Sequence, residues 1–150
     1  MKSIFDKEAY QELSSRLEEL TPGHQAKWGK MNVNQMLSHC QKVIQVALGE
    51  KDLKRPNFFV RFLLQFMNPM LYNDKAWIKG LPTAKEFVIS DTEGFETEKA
   101  QLKALMKRMH YSKEYFKPSK EHPVFGKMKV WMWGQSGYKH LDHHFQQFGV

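Results

Sequence analysis

Apolar residues recur at helical spacing in two segments of the first third of the chain. The first segment covers residues 5–20 and stops at the helix-breaking sequence Thr21-Pro22-Gly23. The second follows Asn32, which forms a capping-box pattern with Gln35 three residues later, and ends before Gly49. The pattern therefore predicts two amphipathic helices separated by a loop.

Two further long helices are predicted in the second half of the chain. Ser90 and Glu93 repeat the capping-box spacing, and a helical pattern follows to residue 116. The last helix is predicted over residues 128–148, with Gly149 as its end. Gly134 and Gly137 lie inside this helix and indicate close approach of another group, because glycine otherwise weakens a helix.

The remaining segments carry little regular structure. Residues 58–66 predict a short helix, 71–82 an irregular loop, 86–89 a brief extended piece and 117–126 a loop with two prolines. The chain of 150 residues is expected to form one domain over residues 1–150. These elements predict an all-α fold, a four-helix bundle with a short extra helix.

Composition restricts the class of protein. Hydrophobic residues make up 41% of the chain, which is typical of a globular core rather than of disorder. The single cysteine, Cys40, excludes an intramolecular disulfide and fits a reducing compartment. The first residues lack the apolar run of a signal peptide, and the most apolar segment, 58–72, is interrupted by polar residues and too short to span a bilayer. A cytoplasmic protein without a membrane partner is expected.

The formal net charge of +7 would allow binding of nucleic acid. The lysines, however, are spread along the chain, and no recognition-helix, zinc-finger or RNA-binding motif accompanies them. A solvated basic surface is the preferred interpretation, and no nucleic-acid partner is expected.

Three histidines occur within five residues of the last predicted helix. His140 and His144 are four residues apart and so share one face of a helix. The apolar stripe of Leu141, Phe145 and Phe148 turns His144 inward, places His140 at the same rim, and leaves His143 facing water with Lys139 and Gln146. Paired neutral imidazoles commonly bind a transition metal, although most such pairs are incidental.

A third histidine, His39, lies beside the apolar stripe of the second predicted helix. The stripe includes Met36, Leu37, Cys40 and Ile44, which places His39 at the rim of the buried face. A hydrogen-bonded core histidine and a metal ligand both fit this position. Cys40 lies about 100° from His39 around the helix, so the two side chains are not expected to reach one metal.

Other known metal motifs are absent from the sequence. There is no HExxH motif of a metalloprotease and no Glu-x-x-His pair of a di-iron bundle. Asp142 lies between the histidines in sequence but away from the apolar stripe. It is interpreted as a surface or supporting residue rather than as a base.

Four short segments together resemble the DUF1569 family, which is similar to the wider DinB/YfiT-like superfamily. They are residues 28–32 (WGKMN), 35–40 (QMLSHC), 122–126 (HPVFG) and 138–149 (YKHLDHHFQQFG). The resemblance implies an up-down-down-up four-helix bundle that holds one divalent metal through His39, His140 and His144. His122 and Trp28 match the pattern too, and packing is their expected role.

Three imidazole ligands would leave coordination positions open, as in catalytic sites. Zinc or nickel is the expected metal, and the resemblance adds a low-molecular-weight thiol as a cofactor of some relatives. The expected function is therefore a mononuclear metal-dependent enzyme, a hydrolase or a thiol-dependent transferase or isomerase, acting on a small molecule. The alternatives are a metal-binding stress or sensing bundle without turnover, and an interaction module without metal.

A homodimer is the expected assembly. Bundles that the sequence resembles often form homodimers, and one short predicted helix carries more aromatic surface than it can bury alone. The residues concerned are Phe58, Phe59, Phe62, Leu63 and Phe66.

Overall fold

The computed structural model describes residues 1–66, 68–73, 75–80, 85–117 and 120–150. Over these residues the chain is mostly helical, as the sequence predicts. The helices are α1 (Lys7–Glu19), α2 (Val33–Leu48), α3 (Phe58–Gln65), α4 (Asn68–Tyr72), α5 (Phe95–Tyr111) and α6 (Val130–Phe148). A two-stranded hairpin pairs β1 (Glu121–His122) with β2 (Gly126–Lys127), and short 3₁₀ turns occupy Lys85–Phe87 and Lys113–Tyr115.

The ends of α2 are set by local sequence. The Asn32 side chain accepts a hydrogen bond from the Gln35 backbone at 2.9 Å, and the Gln35 side chain accepts one from the Asn32 backbone at 3.0 Å. This capping box is confirmed. Gly49 ends the helix at φ 79°, a left-handed conformation that favours glycine. The box and the glycine fix where α2 begins and ends, and the apolar stripe between them buries one face of the helix, with His39 at its rim.

The four long helices bury their apolar stripes against one another. Helix α2 packs against α5 and α6, and α1 packs against the same two helices. Their shared core excludes water and is centred on the largest fully buried side chains, which include Leu13, Leu17, Met36, Leu37, Leu102, Met106, Trp133, Phe145 and Phe148. The seam between α2 and α6 is therefore part of the core.

Two glycines of α6 allow the start of the chain and α5 to pack closely. A methyl group at Gly134 would lie 2.5 Å from Cδ2 of Phe5, and one at Gly137 would lie 2.6 Å from Cε of Met109. The Ile4 backbone also donates to the Gly134 carbonyl at 3.0 Å. The predicted close approach at both glycines is confirmed, and it anchors the N-terminal residues on α6.

The predicted capping box at Ser90 is wrong. The Ser90 hydroxyl bonds to the neighbouring Asp91 carboxylate, and α5 begins later, at Phe95. Gly94 precedes the helix with φ 102°, and the Glu98 carboxylate accepts from the Glu93 backbone at 3.0 Å. At its other end α5 stops at Tyr111 rather than at residue 116 and continues as a 3₁₀ turn.

Residues 71–82 were expected to be an irregular loop, but α4 extends to Tyr72, so the start of this segment is helical. Residues 74, 81 and 82 lie outside the described part. The reason is tertiary. The Lys139 ammonium of α6 donates to the Met70 carbonyl at 2.6 Å and to the Asn73 carbonyl at 2.9 Å. Lys139 was expected on the polar side of α6, but it is only 7% exposed, because α4 covers it.

Two other short segments also differ from expectation. Lys85–Phe87 forms a 3₁₀ turn where an extended piece was predicted. The proline-rich loop contains the β1–β2 hairpin, while its residues 118 and 119 lie outside the described part. Pairing of only two residues on each strand leaves no alternating pattern long enough to predict.

Helix α3 presents aromatic side chains to solvent. Phe58 and Phe59 are 76% and 77% exposed, and Phe66 is 71% exposed. The apolar arc continues through Phe62 and Leu63, which are also exposed. Within the described residues, no helix combines the length and apolar character needed to cross a membrane.

The hairpin turn depends on a neutral His122. Its Nδ1 accepts hydrogen bonds from the backbones of Val124 and Phe125 at 3.1 and 3.2 Å, and its ring packs on Trp133. Burial, with a smaller contribution from the Arg61 charge, lowers the pKa of His122 to about 4. Protonation would remove both hydrogen bonds, so the side chain acts in packing and in the turn, as expected.

We predict that His122 makes the protein less stable in acid. Unfolded histidine titrates near pH 6.5, so between about pH 4 and 6.5 the unfolded state binds more protons, and the free energy of unfolding falls as the pH falls. Above that window the contribution is fully present. Wild type should lose about 3 kcal/mol more than His122→Asn between pH 7 and pH 4 in urea denaturation.

Asparagine is the matched variant because its amide oxygen can accept the same backbone hydrogen bonds without titrating. Other buried histidines titrate alike in both proteins, so the difference between the two curves isolates His122. Parallel curves over the whole range would contradict the prediction.

Candidate metal centre

Three histidines from two helices converge in the seam between α2 and α6. His39 comes from α2, and His140 and His144 come from successive turns of α6. One ring nitrogen from each lies within 4.8 Å of the other two. The residues are 5%, 7% and 7% exposed. The structure thus brings together the three histidines that the sequence singled out, at the rim of the core.

The backbone beside α2 fixes the tautomer of His39. Its Nδ1 lies 3.1 Å from the Phe87 carbonyl oxygen, which only accepts, so Nδ1 carries the proton. The other nitrogen, Nε2, is then unprotonated in the neutral ring. It lies 3.1 Å from Nε2 of His140. A proton on Nε2 of His140 makes this contact a hydrogen bond, and a cation bound by both nitrogens would take the place of that proton.

Gln147 fixes His144 in the same way. The Gln147 amide nitrogen donates to the Trp28 carbonyl at 2.6 Å, which settles the orientation of the amide. Its oxygen therefore faces Nδ1 of His144 at 2.8 Å and accepts a hydrogen bond from the N–H at that position. Nε2 of His144 is left with a free lone pair. The amide links the histidine on α6 to the loop before α2.

Burial keeps all three rings uncharged. Desolvation lowers the pKa of His39, lowers that of His144 to about 3, and holds that of His140 well below its usual range. The rings also oppose one another's protonation, because each imidazolium would repel its neighbours. At neutral pH the cluster therefore presents unprotonated nitrogens, which is the form that binds metal.

The donor set fits a divalent transition metal. Two nitrogens bound at about 2.0–2.1 Å to one tetrahedral ion lie about 3.3 Å apart, close to the 3.1 Å between Nε2 of His39 and Nε2 of His140. Imidazole suits zinc, nickel and copper. The hydrogen bonds to Phe87 and Gln147 are the supporting contacts that metal-binding histidines usually make. Three side chains leave at least one coordination position for water or substrate.

His143 does not face open water as expected. It is half-buried, because loops that are distant in sequence cover it: its ring lies 5.7 Å from that of Trp28 and 5.6 Å from that of Trp77. It does not belong to the group of converging nitrogens found among the described residues. The prediction that His144, and not His143, faces the interior matches this arrangement.

Cys40 and Asp142 stay apart from the cluster. The Cys40 thiol is fully buried against Met36, and burial raises its pKa, which disfavours a thiolate. The Asp142 carboxylate accepts from the Arg16 guanidinium at 2.7 Å and from the Gln146 amide at 2.8 Å. Its expected surface role is consistent with these contacts.

Sequence reasoning missed three supporting groups: the Gln147 amide, the Phe87 carbonyl and the Trp77 indole. Gln147 lies one helical turn after His144 within the closing motif, so the i, i+3 spacing could have identified it. A backbone carbonyl carries no residue-type signal. Trp77, whose ring lies 5.8 Å from that of His140, comes from a loop whose position the local pattern does not determine.

We predict that His39→Ala, His140→Ala and His144→Ala each lower metal affinity by orders of magnitude while the chain stays helical. Each variant removes one of three ring nitrogens that lie within 4.8 Å of one another. Metal content after dialysis, measured by mass spectrometry beside circular dichroism, checks this expectation.

Two matched controls accompany these variants. His143→Ala removes an imidazole adjacent to the cluster and should retain metal, with at most a modest loss. Cys40→Ser should retain it too, because the thiol points into the core. Loss of metal from Cys40→Ser, or from His143→Ala but not from His144→Ala, would show that the ligand set is wrong.

A further prediction concerns Gln147. Gln147→Leu keeps the side-chain size but removes the acceptor at His144 and the donor at Trp28, so metal affinity should fall about 10- to 100-fold. Gln146→Leu, one residue earlier and bonded to Asp142, is the matched control and should bind metal like wild type. Equal affinities in the two variants would show that the Gln147 contact does not support the site.

Comparison with known proteins gives a family but no activity. The family model described as "Protein of unknown function (DUF1569)" matches residues 4–149. Searches of curated proteins and of solved structures gave no match. The match includes all three converging histidines and Gln147. Since it covers nearly the whole sequence, the chain belongs to the DUF1569 family.

Proposed function

We propose that the chain is a mononuclear metal-dependent enzyme acting on a small molecule, with His39, His140 and His144 as ligands of one divalent ion. The observation that carries this proposal is the convergence of three buried, uncharged imidazoles whose free nitrogens lie within 4.8 Å of one another. Burying such groups costs free energy. A metal ion bound by all three rings would offset this cost.

The chemistry follows from the open coordination positions. A bound zinc or nickel ion would act as a Lewis acid and bring the pKa of a bound water toward neutrality, or would bind a thiolate. The chain's own part is to exclude water around the rings, to hold His39 through the Phe87 carbonyl and to hold His144 through Gln147. Hydrolysis and thiol-dependent transfer or isomerisation, with a low-molecular-weight thiol as cofactor, are the reaction classes that fit this site.

The fold proposed for this activity is an up-down-down-up four-helix bundle of the DinB/YfiT-like superfamily. The mutual packing of α1, α2, α5 and α6 supports it, as does a candidate site built from facing helices. A metal-binding bundle without turnover is the second candidate. The observation that favours it is that Asp142, the carboxylate nearest in sequence to the three histidines, is engaged by Arg16 and so is poorly placed to act as a base.

Metal analysis of untagged protein tests the proposal. About one zinc or nickel ion per chain is expected after purification or after loading and dialysis. A chain that retains no divalent metal under either condition would favour an interaction module instead. Screens of esters, amides and thiol-dependent transfers, run on metal-loaded wild type and on His140→Ala, then separate an enzyme from a protein that only binds metal.

We also propose a homodimer that assembles through α3. Burying an aromatic side chain removes about 150–250 Å² from water, so four largely exposed phenylalanines and Leu63 offer each copy several hundred Å². Stable interfaces bury about 800 Å² on each partner. The apolar arc of α3 can therefore supply most of a self-complementary interface.

We predict a dimer in light scattering at tens of micromolar, the range where a modest interface still holds. The double variant Phe59→Ser, Leu63→Ser should be a monomer, because it removes two of the five exposed apolar side chains of this arc. Val88→Ser, at a residue 62% exposed but outside α3, is the control and should stay dimeric. Monomeric wild type would contradict this assembly.

A further inference from the structure

Three aromatic rings form a continuous surface beside the candidate ligands. The His143 ring lies between two indoles, 5.7 Å from the ring of Trp28 and 5.6 Å from that of Trp77. The surface reaches the cluster at two points, since Trp77 also contacts His140 at 5.8 Å and His143 contacts His144 at 5.2 Å. A flat molecule bound at the cluster would have these ring faces and edges as neighbours.

Hydrogen bonds hold the Trp77 indole and the Trp28 backbone in place. The Trp77 indole nitrogen donates to the Met70 carbonyl at 2.8 Å, and Lys139 binds the same carbonyl from α6. The Trp28 carbonyl accepts from Gln147 at 2.6 Å. The segments that carry the two tryptophans are thus attached to the helix that carries His140 and His144. Binding of a ligand therefore costs little conformational entropy.

A divalent ion at the cluster would, together with Lys79, place positive charge beside this surface. The three converging histidines are neutral, so a divalent ion among them keeps its full charge. Asp142, which is adjacent to His143 in sequence, is engaged by Arg16. At the outer edge the Lys79 ammonium lies 4.4 Å from the centre of the Trp28 ring. No carboxylate bonds to His39, His140 or His144 within the described part of the chain.

We propose that the site takes small organic anions with a flat apolar body, bound with the anionic group at the metal, the body against Trp28 and Trp77, and Lys79 attracting the charge from the rim. This inference rests on the proposed metal site. Uncharged or cationic molecules of the same shape lack the attraction of both the metal and Lys79. Small anions without a flat group lack the contact with the rings.

Four probes separate these contributions: benzoate, acetate, benzyl alcohol and benzylammonium. Their binding to zinc-loaded wild type is measured by calorimetry and by quenching of tryptophan fluorescence, and repeated with cobalt, whose visible spectrum reports ligands at the metal. Benzoate should bind best, about five- to tenfold tighter than acetate, because one aromatic contact is worth about that factor. Benzyl alcohol and benzylammonium should bind far more weakly.

Lysine variants test the rim charge. Lys79→Gln should raise the dissociation constant of benzoate a few-fold and reduce its dependence on salt, because a screened surface charge is lost. Lys75→Gln removes an exposed lysine from the same loop and should leave benzoate binding unchanged. Equal weakening in the two variants would overturn the role of Lys79.

Trp77→Leu tests the ring surface. The variant should bind benzoate only as tightly as it binds acetate. Its affinities for acetate and for the metal should be unchanged. If this variant does not fold, Trp28→Leu tests the other tryptophan ring by the same comparison. An unchanged preference for benzoate in a folded variant would overturn the role of the indoles.

The failure of each proposal has a different signature. Wild type that binds no metal overturns the proposed function, and the present inference with it. If metal-loaded wild type does not bind benzoate, or binds benzyl alcohol or benzylammonium as tightly, the proposed ligand class is wrong, while the proposed metal site stands. A cobalt spectrum that shifts with benzoate but not with benzylammonium supports both.

Discussion

Burial of three uncharged imidazoles in one helix seam is the constraint to which the rest of the site is fitted. A buried polar ring is tolerated only if its nitrogens find partners. His39 and His144 each donate a hydrogen bond from Nδ1 to a fixed oxygen, the Phe87 carbonyl and the Gln147 amide oxygen respectively. Desolvation then keeps the rings neutral, so their remaining nitrogens stay free to act together.

The supporting contacts come from loops, and this makes the site depend on tertiary structure well beyond α2 and α6. Gln147 ties the loop at Trp28 to the last turns of α6. Lys139, one residue before His140, anchors α4 and with it the segment that carries Trp77. A charged lysine is therefore buried beside the candidate ligands, because carbonyl oxygens rather than water satisfy its ammonium group.

The same arrangement accounts for the electrostatic character of the site. Two acidic side chains have structural partners. The Asp142 carboxylate pairs with Arg16, and the Glu98 carboxylate accepts hydrogen bonds from the Gln41 amide and from the backbone just before α5. The histidine cluster has no compensating carboxylate among the described residues. A cation placed there would retain its attraction for anions, and the nearby indoles would add an apolar surface next to it.

Periodicity and local motifs determined the helices that carry the site. The capping box at Asn32 sets the start of α2, and the apolar stripes of α2 and α6 place His39, His140 and His144 at the rim of the buried face. The assignment of His39 as a ligand came from the resemblance to the family. The capping box and the stripes are local signals, since they depend on backbone hydrogen bonds and on which face meets the core. They also predicted the close approach at Gly134 and Gly137.

Only the tertiary structure decided what surrounds the histidines. The capping pattern at Ser90 failed because Gly94 and Glu98 provide the actual start of α5. His143 was assigned to water because a helix viewed alone has an outer face, and Trp28 and Trp77 cover that face from loops 115 and 66 residues away in sequence. The Phe87 carbonyl could not be predicted at all, because backbone groups are the same in every residue. Spacing along a helix is encoded locally, whereas the partners across a seam depend on how the whole chain packs.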